Sequence, residues 1–279
     1  TPAGQSDGTD MTLAAAGATE IAIVAHSMGG LVARLVLEPD TFRAEPWFDL
    51  VDTLFTLGTP HLGAPMALVR ILGLEGDLGI SAADFRTYAA DHRYPSAYQL
   101  LPAPGEDACW NLTDSTLGPL DIYDMGDAQA VGLDPALVAR VAWVHQSFAE
   151  GSQPPGVRYL FFGGAGHRTC TRINVAPGQV IPTLTDDAGD GTVPMWSAFG
   201  KATQKQLVRG EHSKFFRREE FSAVLYRLFG QRFPTPPVAA AAMLDLSVQA
   251  LVLRPDEEIE LLILAPAPTS AISGEVVVE

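Results

Sequence analysis

Cysteine is nearly absent from this chain, and basic residues are scarce. Only Cys109 and Cys170 occur among 279 residues. Two thiols fit one disulfide or two free cysteines, and they exclude a disulfide-dense scaffold. They form no C-x-x-C pair and no Cys/His cluster of zinc spacing, so no metal centre and no cofactor are expected. Lysine and arginine together number 18 against 33 acidic residues, a net charge of −15. A nucleic-acid partner needs a basic face, which this balance argues against. A polybasic patch for anionic lipid is missing too. No apolar run reaches the roughly 20 residues of a membrane span. The chain starts at Thr1 with no visible signal-peptide pattern, so the stretch reads as processed or cut from something longer, and the compartment stays open.

What the chain does have is apolar residues. They make up 47 % of it, enough to bury a sizeable core in one large domain or one and a half ordinary ones. "EIAIVAH" (20–26) is a short continuous apolar run, the mark of a strand buried on both faces. "GGLVARLVLE" (29–38) has helical spacing, and "VDTLFTLGTP" (51–60) and "VRYLFFGG" (157–164) read as further buried strands. Strand, turn, helix and more apolar strands make an open, mostly parallel sheet with flanking helices, an α/β fold.

The stretch 66–156 between the second and third strands is too long for a connection and reads as a cap or lid. It holds a helix candidate, "DPALVARVAWVHQSFAE" (134–150). Residues 171–184 read as a hairpin around Ala-Pro-Gly, and 221–230 as a helix. The expected domain is therefore 1–231, followed by a Pro/Ala-rich linker (232–243). A β-rich segment (244–279) comes last, and it stops without obvious closure. Its first part, "LDLSVQAL", alternates strictly, and "EIELLIL" and "EVVVE" add strands.

"AHSMGG" (25–30) carries the chemistry. A serine on a sharp strand-to-helix turn projects its Oγ out of the sheet toward a substrate. The residues two before and two after it must be small; here they are Ala25 and Gly29, so the pattern is A-x-S-x-G in place of G-x-S-x-G. Ser27 is the candidate nucleophile, and the Met28 N–H at the helix start is the candidate oxyanion donor. The acid and base of such a site follow in the order Asp, then His. "DDAGDGTVP" (186–194) supplies Asp190, and His212 in "VRGEHSKFF" is the one histidine after it. Asp190 also reads as a turn cap, and His212 as an ordinary surface histidine; a calcium loop of Asp186, Asp187 and Asp190 lacks the ligand spacing. His61 follows the second strand and either lines the site or serves a turn. His26 is expected to pack away from the site by pleat alternation. Trp110, Trp143 and Trp196 line an acyl pocket or pack as core, with Trp196 the candidate wall residue.

"AHSMGG", "TLGTPHLGAP", "PSAYQLLP", "PPGVRYLFFGGAG", "GDGTVP" and "GEHSKFF" occur together in order. The set resembles the lecithin:cholesterol acyltransferase-like branch of the α/β-hydrolases over roughly residues 20–230. That resemblance implies Ser27, Asp190 and His212 as a triad and residues 66–156 as a cap over a lipid-binding site. It implies a lipase, phospholipase or O-acyltransferase working through an acyl-enzyme, with a lipid or other ester as its partner. Such enzymes also carry strands before the elbow and an upstream loop donating a second oxyanion N–H. Residues 1–20 cannot hold these, so further domains or another chain would supply them. The competing reading is a non-catalytic hydrolase-like module for binding or assembly.

Overall fold

The computed structural model of the chain describes residues 17–77, 79–112, 118–176, 179–200, 204–214, 217–228, 245–248 and 261–264. It divides into two compact units, Thr1–Phe216 and Arg217–Glu279. The division falls upstream of the expected boundary at residue 231.

In the first unit, strands β1 (Ile21–His26), β2 (Val51–Leu57), β5 (Arg158–Ala165) and β8 (Lys205–Arg209) form one sheet in the order β1-β2-β5-β8. Every pairing in it is parallel. With its flanking helices this is the α/β-hydrolase architecture. Parallel pairing puts the carboxyl ends of all four strands at one edge, where open α/β sheets build their sites. Strand β2 is buried on both faces, as its apolar run predicts. Strand β1 differs from expectation: it is the outer strand among the described residues, and Val24 is 48 % exposed.

Helix α1 (Met28–Leu37) follows β1 and buries its Leu31, Ala33 and Leu37 side chains. Ala33 and Leu37 pack with Phe48, Leu54, Val157 and Phe161. Residues 66–156 are no loose lid. They contain helices α2 (Pro65–Ile71), α3 (Ala82–Ala89), α4 (Met125–Val131) and α5 (Pro135–Glu150), and the short strands β3 (Cys109–Asn111) and β4 (Gly118–Pro119). Helix α5 starts where the sequence signals it: Asp134 caps it by accepting from the Ala136 N–H, and Pro135 takes the first position.

The expected hairpin at 171–184 is present and longer. Strands β6 (His167–Ala176) and β7 (Gln179–Gly189) pair antiparallel from His167↔Gly189 to Ala176↔Gln179. The sequence did not foretell that β3 joins it, so that β4-β3-β6-β7 is a second, mixed sheet. Pro182 is accommodated because β7 lies at its edge. A second core then fills in, with Leu68, Tyr98, Leu137 and Val141 of the insertion against Cys170 and Ile173 of β6. Both cysteines lie in it as free thiols. Burial, together with the neighbouring Cys170 thiol, pushes the Cys109 thiol up to about 12. Burial likewise holds Cys170 at about 11. Such thiols are inert packing groups.

In the second unit, helix α7 (Glu219–Leu228) is followed by strands β9 (Asp245–Val248) and β10 (Leu261–Leu264), which pair antiparallel. The expected linker at 232–243 and the strand at 275–279 lie outside the described residues. Among the described residues no helix is long and apolar enough to cross a membrane.

The helix α1 start shows where small residues matter. A Cβ on Gly29 would meet only the Ala25 Cβ, at an ordinary 3.9 Å, whereas a Cβ on Gly30 would run into the side chain of Thr59, which is fully buried. The steric demand expected at Gly29 therefore falls mainly on Gly30. Gly30→Ala is expected to cost about 1–3 kcal/mol through overpacking. Gly29→Ala should be neutral or gain up to about 1 kcal/mol of helix propensity. Thermal melts of the two variants check this, and equal melting temperatures would contradict it.

Candidate active site

Ser27 follows β1 in a conformation that few side chains adopt, φ 53° and ψ −131°. Such backbone costs about 1–3 kcal/mol and persists only where the surroundings hold it. Here the Ser27 N–H donates to the Leu57 carbonyl at 2.9 Å, and the Ser27 carbonyl accepts from Gly30 N–H at 3.1 Å. The turn lifts Oγ out at the carboxyl edge of the sheet. Met28 N–H is the first donor of helix α1 and has no partner four residues back within the helix.

Asp190 arrives by a longer route than expected. Strand β5 leaves the main sheet at Ala165, the β6–β7 hairpin makes an excursion, and the chain returns through Gly189. Gly164 of β5 packs directly against Asp190, and a Cβ there would collide with the Asp190 Cβ. The carboxyl group is completely buried. Its Oδ1 accepts from Thr192 N–H at 3.0 Å and Val193 N–H at 2.7 Å. Its Oδ2 lies 2.7 Å from His212 Nδ1. So Asp190 does cap its own turn, and it holds a histidine at the same time. Thr169 braces the turn from β6, accepting from Gly191 N–H at 2.9 Å. Nothing in the sequence singled out that residue.

His212 stands on the loop after β8. Its N–H donates to the Asp190 carbonyl at 2.8 Å, and its Nε2 lies 2.9 Å from Ser27 Oγ. Since Asp190 Oδ2 can only accept while ionised, Nδ1 carries the proton and Nε2 is left to accept from the Ser27 hydroxyl. Residues 27, 190 and 212 thus form one continuous chain of hydrogen-bond contacts from a buried carboxyl group to a hydroxyl.

The other expected residues divide. Met28 is 40 % exposed at the helix start, beside Ser27. Trp196 is half-buried on helix α6 (Met195–Phe199), which follows the Asp190 turn. His61 corrects expectation: it is 2 % exposed and belongs to the core. Its ring stacks on Phe161 with centroids 3.7 Å apart. Arg34 donates to its Nδ1 at 3.3 Å, so Nε2–H donates to Thr56 Oγ1 at 2.9 Å. Arg34 in turn forms a two-bond pair with Glu38, at 2.5 and 3.0 Å, and lies 4.2 Å over the Phe148 ring of α5. Helix α1 is thereby bound to the insertion. Trp110 donates to the Asp107 carbonyl and sits beneath Arg172, while Trp143 is 50 % exposed. Neither is core. His26 also departs from expectation, because its Nε2 lies 2.9 Å from the His212 carbonyl oxygen.

Comparison with known proteins agrees with this architecture. Residues 10–73 match the family model described as PGAP1-like alpha/beta domain. They include Ser27, Met28 and His61, and stop short of Asp190 and His212. A protein of Cryptococcus neoformans var. neoformans serotype D (strain B-3501A) named GPI inositol-deacylase is 46 % identical over 52 residues. That stretch is 19 % of this chain and 6 % of the fungal protein. The GPI inositol-deacylase of Mus musculus is 44 % identical over 54 residues, 19 % of this chain and 5 % of the mouse protein. The solved structure "The crystal structure of Tle4-Tli4 complex" contains a chain that superposes with a TM-score of 0.55 at 15 % identity. The superposition covers 79 % of this chain and 62 % of that one, and shows likeness of fold.

Two deeply buried imidazoles set an acid limit on stability. Burial, and then the Arg34 charge, hold His61 well below its ordinary value of 6.5. Burial lowers His145 as well, against the opposing pull of its hydrogen bond to the Leu101 carbonyl. Below about pH 6.5 the unfolded chain takes up protons that these native rings refuse. Stability is therefore full above that pH and falls as pH drops through it, by at most about 1.4 kcal/mol per pH unit for each proton. Urea midpoints at pH 7.5 and 5.5 should show the drop. His145→Gln, which keeps a donor to Leu101, should flatten it; an unchanged slope would refute the assignment.

Proposed function

We propose that the chain is a serine hydrolase of lipid-type esters, working through an acyl-enzyme intermediate. The observation that carries this reading is the relay of Ser27 Oγ, His212 Nε2, His212 Nδ1 and Asp190 Oδ2, closed by contacts of 2.9 and 2.7 Å. Residues distant in the chain meet in the tautomer and order that nucleophilic acyl transfer needs.

In this reading the Ser27 hydroxyl attacks an ester carbonyl carbon while its proton passes to His212 Nε2. The carbonyl oxygen becomes an oxyanion and accepts from the Met28 N–H at the positive end of helix α1. Asp190 stabilises the imidazolium without taking its proton. Collapse of the tetrahedral species breaks the ester C–O bond, and His212 returns the proton to the leaving alcohol. Water, activated by the same imidazole, then attacks the acyl-Ser27 and releases the acid. An alcohol in place of water would make the chain an O-acyltransferase. The relatives' name, a deacylase, supports water as acceptor and a lipid as substrate. Within this proposal Trp196 forms part of an acyl-binding wall and residues 66–156 act as the cap. The motif order also supports kinship with the lecithin:cholesterol acyltransferase-like branch. No metal or organic cofactor enters any step.

A fluorophosphonate probe tests the proposal. Labelling is expected at Ser27, and Ser27→Ala should abolish it. With a p-nitrophenyl ester, His212→Ala and Asp190→Asn should each lower kcat by about 10³- to 10⁴-fold. A chain that takes no probe and turns over no ester would instead be a binding module.

A further inference from the structure

We propose that His26 is a positioning residue for His212, whose backbone carbonyl it holds through its Nε2–H. The catalytic consequence rests on the serine-hydrolase reading; the tether itself does not.

The need for such a tether follows from the topology. Strands β1 and β8 are the outer members of the order β1-β2-β5-β8. Three strand spacings separate them, about 14 Å. Ser27 follows the first and His212 follows the second, so the loop 210–214 must reach back across the ends of β5 and β2 to bring Nε2 within 2.9 Å of Oγ. Its start is fixed by Gly210 N–H donating to the Ala165 carbonyl at 3.1 Å. At His212 itself the N–H and the Nδ1–H both bond to one residue, Asp190. Both bonds run to one residue of the turn after β7, so, apart from the Ser27 contact itself, neither ties the loop to β1.

His26 supplies the third point from a different element. It is the last residue of β1, adjacent to the nucleophile. Its Nε2 lies 2.9 Å from the His212 carbonyl oxygen, which can only accept, so Nε2 carries the proton. The two imidazole rings also touch, with centroids 4.9 Å apart and planes 40° from parallel. The Ser27–His212 distance is thus referenced to the residue preceding Ser27, and any shift of the β8 loop away from β1 is resisted.

The charge environment suits the role. Among the described residues, the titratable groups that act on His26 are His212, from the loop after β8, and Asp190, from the turn after β7. Burial is the largest influence on His26 and lowers its pKa; the bond to the His212 carbonyl opposes this, the His212 charge adds to it, and Asp190 opposes it. The lowering favours the uncharged ring, which adds least repulsion when His212 takes up its proton during acyl transfer. Pleat alternation misses the contact because it describes where His26 starts, and the loop that meets it comes from 186 residues away.

The experiment compares the full chain with His26→Ala, His26→Gln and His26→Asn. Glutamine places an N–H near the Nε2 position, whereas the asparagine amide stops short of it. Two readouts are taken: amide hydrogen exchange over residues 209–214, and kcat and KM for a p-nitrophenyl ester. In His26→Ala and His26→Asn, exchange in this loop should quicken about tenfold while β2 and β5 stay protected. In the same variants kcat should fall about tenfold or more with KM within about twofold. His26→Gln should restore both readouts to within about threefold. If His26→Ala fails to fold, the Asn/Gln pair carries the comparison. Loop exchange and kcat unchanged in the Asn variant would overturn the tether while leaving Ser27 labelling intact. Quickened exchange in a protein whose wild type takes no fluorophosphonate would sink the hydrolase reading and leave the tether standing.

Discussion

The buried Asp190 carboxylate organises this molecule's carboxyl edge. A charge with no exposure to water must be answered by donors, or it would be expelled or neutralised. Thr192 and Val193 N–H answer one oxygen and His212 answers the other. Each donor sits on a connecting segment, the turn after β7 or the loop after β8. The requirement to satisfy one anion therefore shapes the 189–194 turn and draws the 210–214 loop toward it. Gly164 allows the approach by having no Cβ where Asp190 rests against β5.

From that anchor the rest follows outward. His212 reaches Ser27 because Ser27 is held in a strained turn by Leu57 of the neighbouring strand. Helix α1, which starts at that turn, is pressed against Thr59 through Gly30 and tied to the insertion through Arg34, which lies over Phe148 while bonded to Glu38 and His61. The insertion is in turn rooted in its own core, shared with the β6–β7 hairpin. Position at the sheet edge is thus a property of two packed cores acting through a few polar contacts. The likeness to a solved α/β chain at 15 % identity shows that this frame tolerates almost complete replacement of side chains.

Much of the frame was legible locally. The apolar runs at 20–26, 51–60 and 157–164 became β1, β2 and β5; β2 has the cover on both faces that such a run predicts, whereas β1, outermost among the described strands, is only partly covered. The stretch 134–150 read as a helix and became α5, whose Asp134 cap and Pro135 start act within the first turn. What escaped was long-range pairing. The three residues 109–111 carry no strand signal of their own and become β3 only because β6 offers a ladder. His61 read as lining the site or serving a turn because it follows a strand; its buried ring is engaged by Phe161, Thr56 and Arg34. His26 looked like packing, and the loop after β8 made it a contact of His212.

The sequence alone determined the elements and the chemical groups available: a serine in an elbow pattern, then an aspartate and a histidine in the required order. Those are set by local stereochemistry and residue type, which act over a few positions. The tertiary structure alone decided which groups meet, which are buried, and which nitrogen of each imidazole carries its proton. These depend on hydrogen bonds between residues as many as 186 positions apart, and only the closing of the sheet and the satisfaction of a buried charge can choose them.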